Sequence, residues 1–208
     1  TGQLQRSLDL TGTSSGYLDA TLAGKVQALA EHLPASLSIQ SKAFKPSEAL
    51  PDTLQLDDLV LLADGNLETG YALTGSANLP AEQSPIALAL SGVVDSKGAV
   101  VKGLDLNASD SQQVKLQAKV DWQEGLAADA QLVWQDFPWL RLYPLDTPPE
   151  VTLKRLNAEV RYRDGRYEGS FDGDLDGPAG AFKVASPFEG DLEQVTLPTL
   201  ALTAGQGK

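Results

Sequence analysis

The sequence of 208 residues contains no cysteine, no methionine and a single histidine. Without cysteine it has no disulfide framework, no thiolate nucleophile and no thiolate metal site. Because it lacks a starting Met and begins Thr1-Gly2-Gln3 in a strand-like pattern, we expect a segment of a longer protein whose signal or anchor lies outside it. Apolar runs are short as well. The run Leu59–Ala63 is far below the ~20 residues of a membrane-spanning helix, so the sequence predicts no such helix.

Positive charge is scarce. Lys and Arg number 16 against 28 Asp and Glu, which gives a formal net charge of −12 and a pI near 4.4. A chain with this charge would be repelled by the phosphates of a nucleic acid and by an anionic membrane surface. We therefore expect no nucleic-acid partner, and we interpret the acidity mainly as a means of staying soluble.

Alternation of apolar and polar residues is abundant. From Val114 to Trp122 every even position is apolar and every odd position is polar, which is the period of a half-buried strand. The same period recurs in residues 71–79, 86–92, 104–108, 128–134, 156–162 and 167–175. Turn residues separate these segments, and the strand centres recur every ~13–16 residues, a spacing typical of short antiparallel strands. The sequence therefore predicts an all-β fold, an elongated antiparallel meander.

Two segments interrupt this rhythm. Apolar residues at helical spacing over 25–33 favour one short helix that ends at Pro34. Residues 137–149 carry four prolines and cannot form a central strand, so we interpret them as a loop or an edge excursion. We expect one continuous domain over residues 1–208 and leave open a subdivision near 137–149.

Three local patterns resemble sites of chemistry without their usual partners. His32 has only Glu31 beside it, whereas a zinc site needs three or four ligands. Residues 12–16 spell G-x-S-x-G, but they link two strand-like segments and are better interpreted as a hairpin turn. Residues 172–177 spell half of an EF-hand loop whose twelfth position is Lys183 instead of Glu. We predict no enzyme, no cofactor and no metal site.

A sheet with one apolar face must cover that face. A second sheet would give a sandwich or a closed barrel, whereas a sheet curled along its length would give a trough for an apolar guest. Strands of ~7 residues are ~23 Å wide, and a dozen of them stacked at ~4.8 Å extend ~55–60 Å. The pattern alone leaves both solutions open.

Three stretches carry a resemblance to a known family. They are residues 54–75, with Asp64-Gly65-Asn66; residues 119–122; and residues 175–207, with Leu175-Asp-Gly177-Pro178 and Gly190-Asp191-Leu192. Together, over roughly residues 50–208, they resemble the TamB family, which is related to the AsmA-like proteins.

The resemblance implies an open, taco-like β-groove that is lined by apolar side chains. It implies a non-enzymatic protein that conducts phospholipids between the inner and outer membranes and supports outer-membrane biogenesis and the assembly of barrel proteins. It implies a periplasmic location, with the parent chain anchored in the inner membrane of a Gram-negative bacterium and joined to an outer-membrane barrel partner (TamA-like). Phospholipid acyl chains would then be the ligand.

On this hypothesis the inward positions of the strands line the groove: Leu88, Leu90, Leu104, Leu106, Leu116, Val120, Trp122, Leu132, Trp134, Val160, Tyr162, Phe171 and Leu175. An alternative is a structural or adhesive β-solenoid or sandwich that binds protein partners through strand edges. Self-association by edge pairing is expected under either interpretation. A third hypothesis, a glycan-processing enzyme, would need an acid pair in a cleft.

Overall fold

The computed structural model describes residues 7–15 and 19–204. These residues form fourteen strands in one sheet. Single turns of 3-10 helix occur at Asp52–Leu54 and Trp139–Arg141. The strands are β1 Leu8–Ser14, β2 Ala20–Val26, β3 Ala35–Phe44, β4 Leu56–Asn66, β5 Gly70–Leu79, β6 Ile86–Val94, β7 Gly98–Ser109, β8 Gln112–Asp121, β9 Ala127–Gln135, β10 Thr152–Arg163, β11 Arg166–Gly177, β12 Gly180–Asp191, β13 Val195–Thr196 and β14 Ala201–Ala204.

Each strand from β1 to β12 pairs antiparallel with the next strand in the chain. The far edge of β12 is shared by two short strands, with β13 opposite Glu189 and Gly190 and β14 opposite residues 182–185. The first and last strands do not pair with each other, so the sheet is open and not a barrel. The prediction of an all-β antiparallel meander is confirmed.

The helix predicted over 25–33 is wrong. Strand β2 continues to Val26, and residues 27–34 form a loop of tight turns. His32 and Leu33 have positive φ values of 63° and 48°, which a helix does not permit. Leu29 is 62% exposed, so the apolar spacing that favoured a helix has no surface to pack against.

The sheet has two long rims, formed by the strand ends. The hairpin rim contains the connections β2–β3, β4–β5, β6–β7, β8–β9, β10–β11 and β12–β13. Short polar side chains close several of these turns; the Asp95 carboxylate, for example, accepts hydrogen bonds from the backbone N–H groups of Lys97 (2.7 Å) and Gly98 (2.9 Å). Asp164 and Gly165 form the two-residue β10–β11 turn, with φ values of 50° and 84°.

The opposite rim is covered in part by residues 137–143, which we call the strap. Phe137 and Leu142 pack with Leu79, Ala81 and Ile86 into a cluster of buried apolar side chains. The sheet continues beneath this excursion, because β9 and β10 pair directly over residues 127–135 and 155–163. The proline-rich segment is therefore an excursion that caps one rim, and it does not interrupt the sheet.

The accessible surface of the chain is 13808 Å². A compact globular monomer of 22.0 kDa would expose about 9,300 Å². Among the described residues, Ile86 is the one large side chain that is fully buried. These values are those of a single-layer sheet, because a sandwich of the same length would bury most of its inward side chains.

Candidate functional site

Apolar side chains form continuous rows across the sheet. Residues that pair directly across neighbouring strands project from the same face, so the registers can be followed from one strand to the next. One such row crosses twelve strands: Gly12, Leu22, Ile39, Leu61, Gly75, Leu90, Leu104, Leu116, Leu132, Ala158, Phe171 and Ser186. Apart from Ser186 at its end, the row contains only apolar residues and glycine.

Further rows lie on both sides of this one. Toward the hairpin rim, one row contains Leu10, Gly24, Leu37, Ala63, Leu73, Gly92, Val101, Ala118, Ala130, Val160, Gly169 and Phe188. Toward the strap, another contains Ala77, Leu88, Leu106, Val114, Trp134, Leu156, Gly173, Val184 and Leu202. Together these rows define an apolar face, which we call the inner face. With spacings of ~4.8 Å, a row of twelve strands is about 53 Å long.

The structure places most of the predicted lining residues on the inner face. Twelve of them lie in or beside the rows above, and each of the twelve is half-buried. Trp122 is different, because β8 ends at Asp121. Its indole N–H donates to the carbonyl oxygen of Ser96 (3.0 Å), and the residue is 43% exposed at the hairpin rim. That these residues line a lipid path remains a prediction.

The inner face is covered at the strap and left open over most of its length. Most of the nearly fully buried apolar side chains cluster under the strap, whereas the apolar rows beyond it consist mainly of half-buried side chains. At the β1 end the inner residues Leu10 and Leu22 are 38% and 37% exposed. Among the described residues, the strap and the 3-10 turn Asp52–Leu54, whose Leu54 packs against the same cluster, supply a second layer over this part of the face.

Aromatic rings fill the inner face where its residues are small. A Cβ on Gly169 would lie 2.1 Å from the carbonyl oxygen of Glu159 and 2.6 Å from the ring of Phe188. Glycine at this position lets the Phe188 ring lie against the sheet, 6.3 Å from the centroid of Phe171. The inner face is therefore even here, because the large ring of Phe188 lies against Gly169, which has no side chain.

The outer face carries the charges. Arg155 donates to Asp172 (2.7 Å) and to Asp174 (2.8 Å), which lie on the adjacent strand β11. The hydrogen bond from Arg155 holds the pKa of Asp174 below its ordinary value of 3.8. The half EF-hand pattern thus places its aspartates around a guanidinium group, and the described residues contain no cluster of ligands suited to a metal ion.

The two other patterns also lack catalytic geometry among the described residues. Nε2 of His32 lies 3.5 Å from a carboxylate oxygen of Glu31 and 3.7 Å from one of Glu68, at an exposed turn. The G-x-S-x-G pattern begins inside β1, which contains Gly12 and ends at Ser14, and its Gly16 lies outside the described residues. No helix within residues 7–15 and 19–204 is long and apolar enough to span a membrane.

Sequence reasoning missed the docking of the strap. Arg141 donates from Nε to the carbonyl oxygen of Glu82 (2.7 Å) and from Nη2 to the hydroxyl of Ser84 (2.8 Å). The hydroxyl of Thr53 donates to the carbonyl oxygen of Leu142, 89 positions away. The sequence did contain one signal for this docking. Apolar residues are dense between the prolines, and a loop exposed to solvent does not need them.

The single open sheet and its uncovered apolar face define a β-groove domain. The family is given by a comparison with family models, in which residues 1–139 match the model described as TamB, N-terminal domain. The chain belongs to the TamB family, as its sequence pattern predicted. The match includes residues 1–49, outside the predicted range of resemblance, and does not extend over 140–208. No curated protein and no solved structure gave a significant match.

Membership of this family supports a role in transport and assembly instead of catalysis. It also suggests a periplasm-spanning protein that is anchored in the inner membrane and works with an outer-membrane module.

Proposed function

We propose that the inner face shields phospholipid acyl chains and conducts them between the inner and outer membranes, in support of outer-membrane biogenesis and barrel-protein assembly. The observation that carries this proposal is the uncovered row of apolar residues from β1 to β12. A soluble domain normally covers such a surface, because contiguous exposed apolar patches mark sites of binding.

Shielding an acyl chain from water lowers the free-energy cost of its transfer by a large amount. Exposing one methylene group to water costs ~0.8 kcal/mol, so a sixteen-carbon chain crossing water unshielded costs on the order of 12 kcal/mol. A face of Leu, Val, Ala and Gly offers nearly the same environment at each position along its length. A lipid can then slide without meeting a deep minimum, whereas a selective pocket would hold it with convergent polar groups.

The same proposal places residues 1–208 in the periplasm as one groove segment, with the parent chain joined to an outer-membrane barrel partner (TamA-like). The thirteen predicted lining residues then contact acyl chains. Trp122 would do so at the hairpin rim and not on the floor of the groove.

Adjacent residues of β9 provide a matched pair of variants. Leu132 projects from the inner face, and Val133 projects from the outer face, where it is 44% exposed. We expect Leu132→Asp in the full-length parent to abolish its support of the outer membrane, measured as resistance to detergent and large antibiotics. Val133→Asp should leave it intact. Leu106→Asp is a second inner-face variant. If folded Leu132→Asp and Leu106→Asp proteins both sustain the barrier, the conduit is refuted.

Photo-crosslinking tests occupancy directly. A photoreactive residue at Leu104 or Leu116 should trap phospholipid in cells, and one at Lys115 or Glu159 on the outer face should not. Equal trapping on both faces would contradict a defined inner path.

The second candidate is a structural or adhesive protein that binds partners through strand edges. It is favoured by the outer edge of β1, which has no strand partner among the described residues, and by the exposed side chains Leu200 (53%) and Leu202 (64%) near the other edge. Mass spectrometry of lipids extracted from the purified protein separates the two: an edge-binding protein carries none.

A further inference from the structure

A fourth row of the inner face follows the hairpin rim, and we call it the rim row. Direct pairing carries it across twelve strands, from Leu8 on β1 to Gly190 on β12. Its members are aliphatic residues, glycine and three tyrosines, Tyr71, Tyr162 and Tyr167. The rim row therefore belongs to the same apolar surface as the three rows described above.

The tyrosines of the rim row join this surface to the turns. The Tyr71 hydroxyl donates to the carbonyl oxygen of Leu33 (2.7 Å), and the Tyr167 hydroxyl donates to that of Gln194 (3.1 Å). The Tyr162 hydroxyl is accessible to solvent and has no hydrogen-bond partner within the described part of the chain. Side chains with an apolar ring and a polar tip are typical of a boundary between an apolar phase and water.

Charged residues begin directly beyond this boundary. Trp122 extends the boundary at the end of β8, where its indole N–H donates to the carbonyl oxygen of Ser96. Each turn of the hairpin rim then carries one carboxylate: Glu31, Glu68, Asp95, Glu124, Asp164 or Glu193. A head group that has an ammonium as well as a phosphate suits such a rim better than a purely anionic one, because a carboxylate accepts hydrogen bonds from an ammonium.

The opposite end of the uncovered surface is closed by the strap. Along β5 the inner residues Tyr71, Leu73 and Gly75 are half-buried, whereas Ala77 and Leu79 are buried. Leu79 belongs to the apolar cluster under the strap. The six residues from Tyr71 to Ala77 extend about 20 Å at ~3.3 Å per residue. In the middle of the sheet, the uncovered surface is thus a strip of this width between the strap and the hairpin rim.

We propose that a phospholipid lies across this strip, with its acyl chains directed toward the strap and its glycerol–phosphate region against the aromatic side chains of the hairpin rim. The hydrocarbon core of a bilayer is ~30 Å thick and holds two chains end to end, so one chain extends about 15 Å and fits the strip. The reverse orientation would place a phosphate against the buried apolar side chains Phe137 and Leu142, where it would lose its hydration without a partner. This inference rests on the proposed lipid-conducting function, and a lipid that slides along the rows keeps the same orientation.

Two photoreactive forms of phosphatidylethanolamine test the orientation, one with the diazirine on the head group and one with it at the end of an acyl chain. The purified protein is incubated with vesicles of each lipid and irradiated, and the labelled positions are identified by mass spectrometry. We expect the head-group probe to label residues 94–98, 121–126 and 162–167, and the acyl-chain probe to label Trp134 and residues 137–143. A reversed pattern, or equal labelling of both rims by both probes, would overturn the orientation. Absence of labelling by either probe on the inner face would instead refute the groove itself.

Tyr162→Phe tests the boundary at a single atom, because it removes the hydroxyl and keeps the ring. We expect it to lower the amount of phosphatidylethanolamine retained by the purified protein about 2- to 10-fold, the range for one neutral hydrogen bond. Retention of hexadecane, which has no glycerol–phosphate region, should not change. Tyr143→Phe is the matched control, because Tyr143 is an exposed tyrosine in the strap. Undiminished retention of phosphatidylethanolamine by Tyr162→Phe, or an equal loss in Tyr143→Phe, would contradict the placement of the glycerol–phosphate region at the hairpin rim.

Discussion

The two isoleucines of the chain provide a direct test of whether the inner face is covered. Ile86 is fully buried under the strap, against Leu79 and Phe137. Ile39 lies in the apolar row that extends from Gly12 to Ser186, paired with Leu22 and Leu61, and is only half-buried. Replacing each by alanine removes the same atoms from two different environments.

The expected costs differ. Ile86→Ala removes fully buried atoms and leaves a closed cavity, so its cost should lie in the range of about 2–5 kcal/mol of unfolding free energy. Ile39→Ala removes atoms that already contact water in part. The space it leaves is open to solvent, so only a fraction of the transfer term of ~0.8 kcal/mol per methylene is lost, about 1 kcal/mol.

Urea unfolding of both variants, compared at equal m-values, measures the two costs. If Ile39→Ala lowered the free energy of unfolding as much as Ile86→Ala does, the open groove would be refuted, because such a loss would require a second layer over β3 in solution. An m-value changed in only one variant would instead indicate that the two were not unfolding as the same unit.

Three further outcomes follow from the contacts described. Arg141→Ala should release the strap and lower the free energy of unfolding by about 1–2 kcal/mol, because the hydrogen bonds to carbonyl groups and to Ser84 are lost. Amide hydrogen exchange in residues 80–86 should become faster. Unchanged exchange there would contradict the anchoring role of Arg141. The folded-state pKa of Asp174 is lowered, so its ionised carboxylate contributes to the free energy of unfolding above the ordinary pKa of 3.8, and this contribution is lost as pH falls through the folded pKa. The urea midpoint should therefore decline in acid less steeply in Arg155→Gln than in the native chain. Gly165→Ala should cost about 1 kcal/mol by thermal unfolding from backbone strain alone, since its φ is +84° and no other atom lies within 4 Å of the added Cβ; no loss would mean that the turn adopts another conformation.

The strands could be predicted because their signal is local. Alternation in Val114–Val120 and turn residues such as Asp164-Gly165 act within a few positions, and they placed the inner face correctly. The β-bulges could not be predicted in the same way from the sequence pattern. In β10 the inner residues Leu153 and Leu156 are three apart, because Lys154 is an extra residue opposite Leu175 and Asp174.

The strap and the loop at 27–34 depend on tertiary context. Thr53 and Leu142 meet across 89 positions, a contact that no periodicity encodes. The apolar spacing over 25–33 was a true pattern with no partner surface, and pairing of β2 with β3 leaves the segment as a short connection. Whether the inner face is packed or open was also beyond the pattern, since both arrangements need the same alternation.

The order of the strands has a consequence for how such a protein can form and vary. Nearly every pairing joins strands that are consecutive in the chain, so each new hairpin can attach to the edge left by the previous one. Architectures with only neighbouring interactions fold by propagation and have stabilities that are close to sums over units. Insertion or loss of one hairpin would change the span by about 10 Å, two strand spacings, without altering the register of the rest. The reach of such a molecule is therefore a variable that evolution can adjust in integer steps.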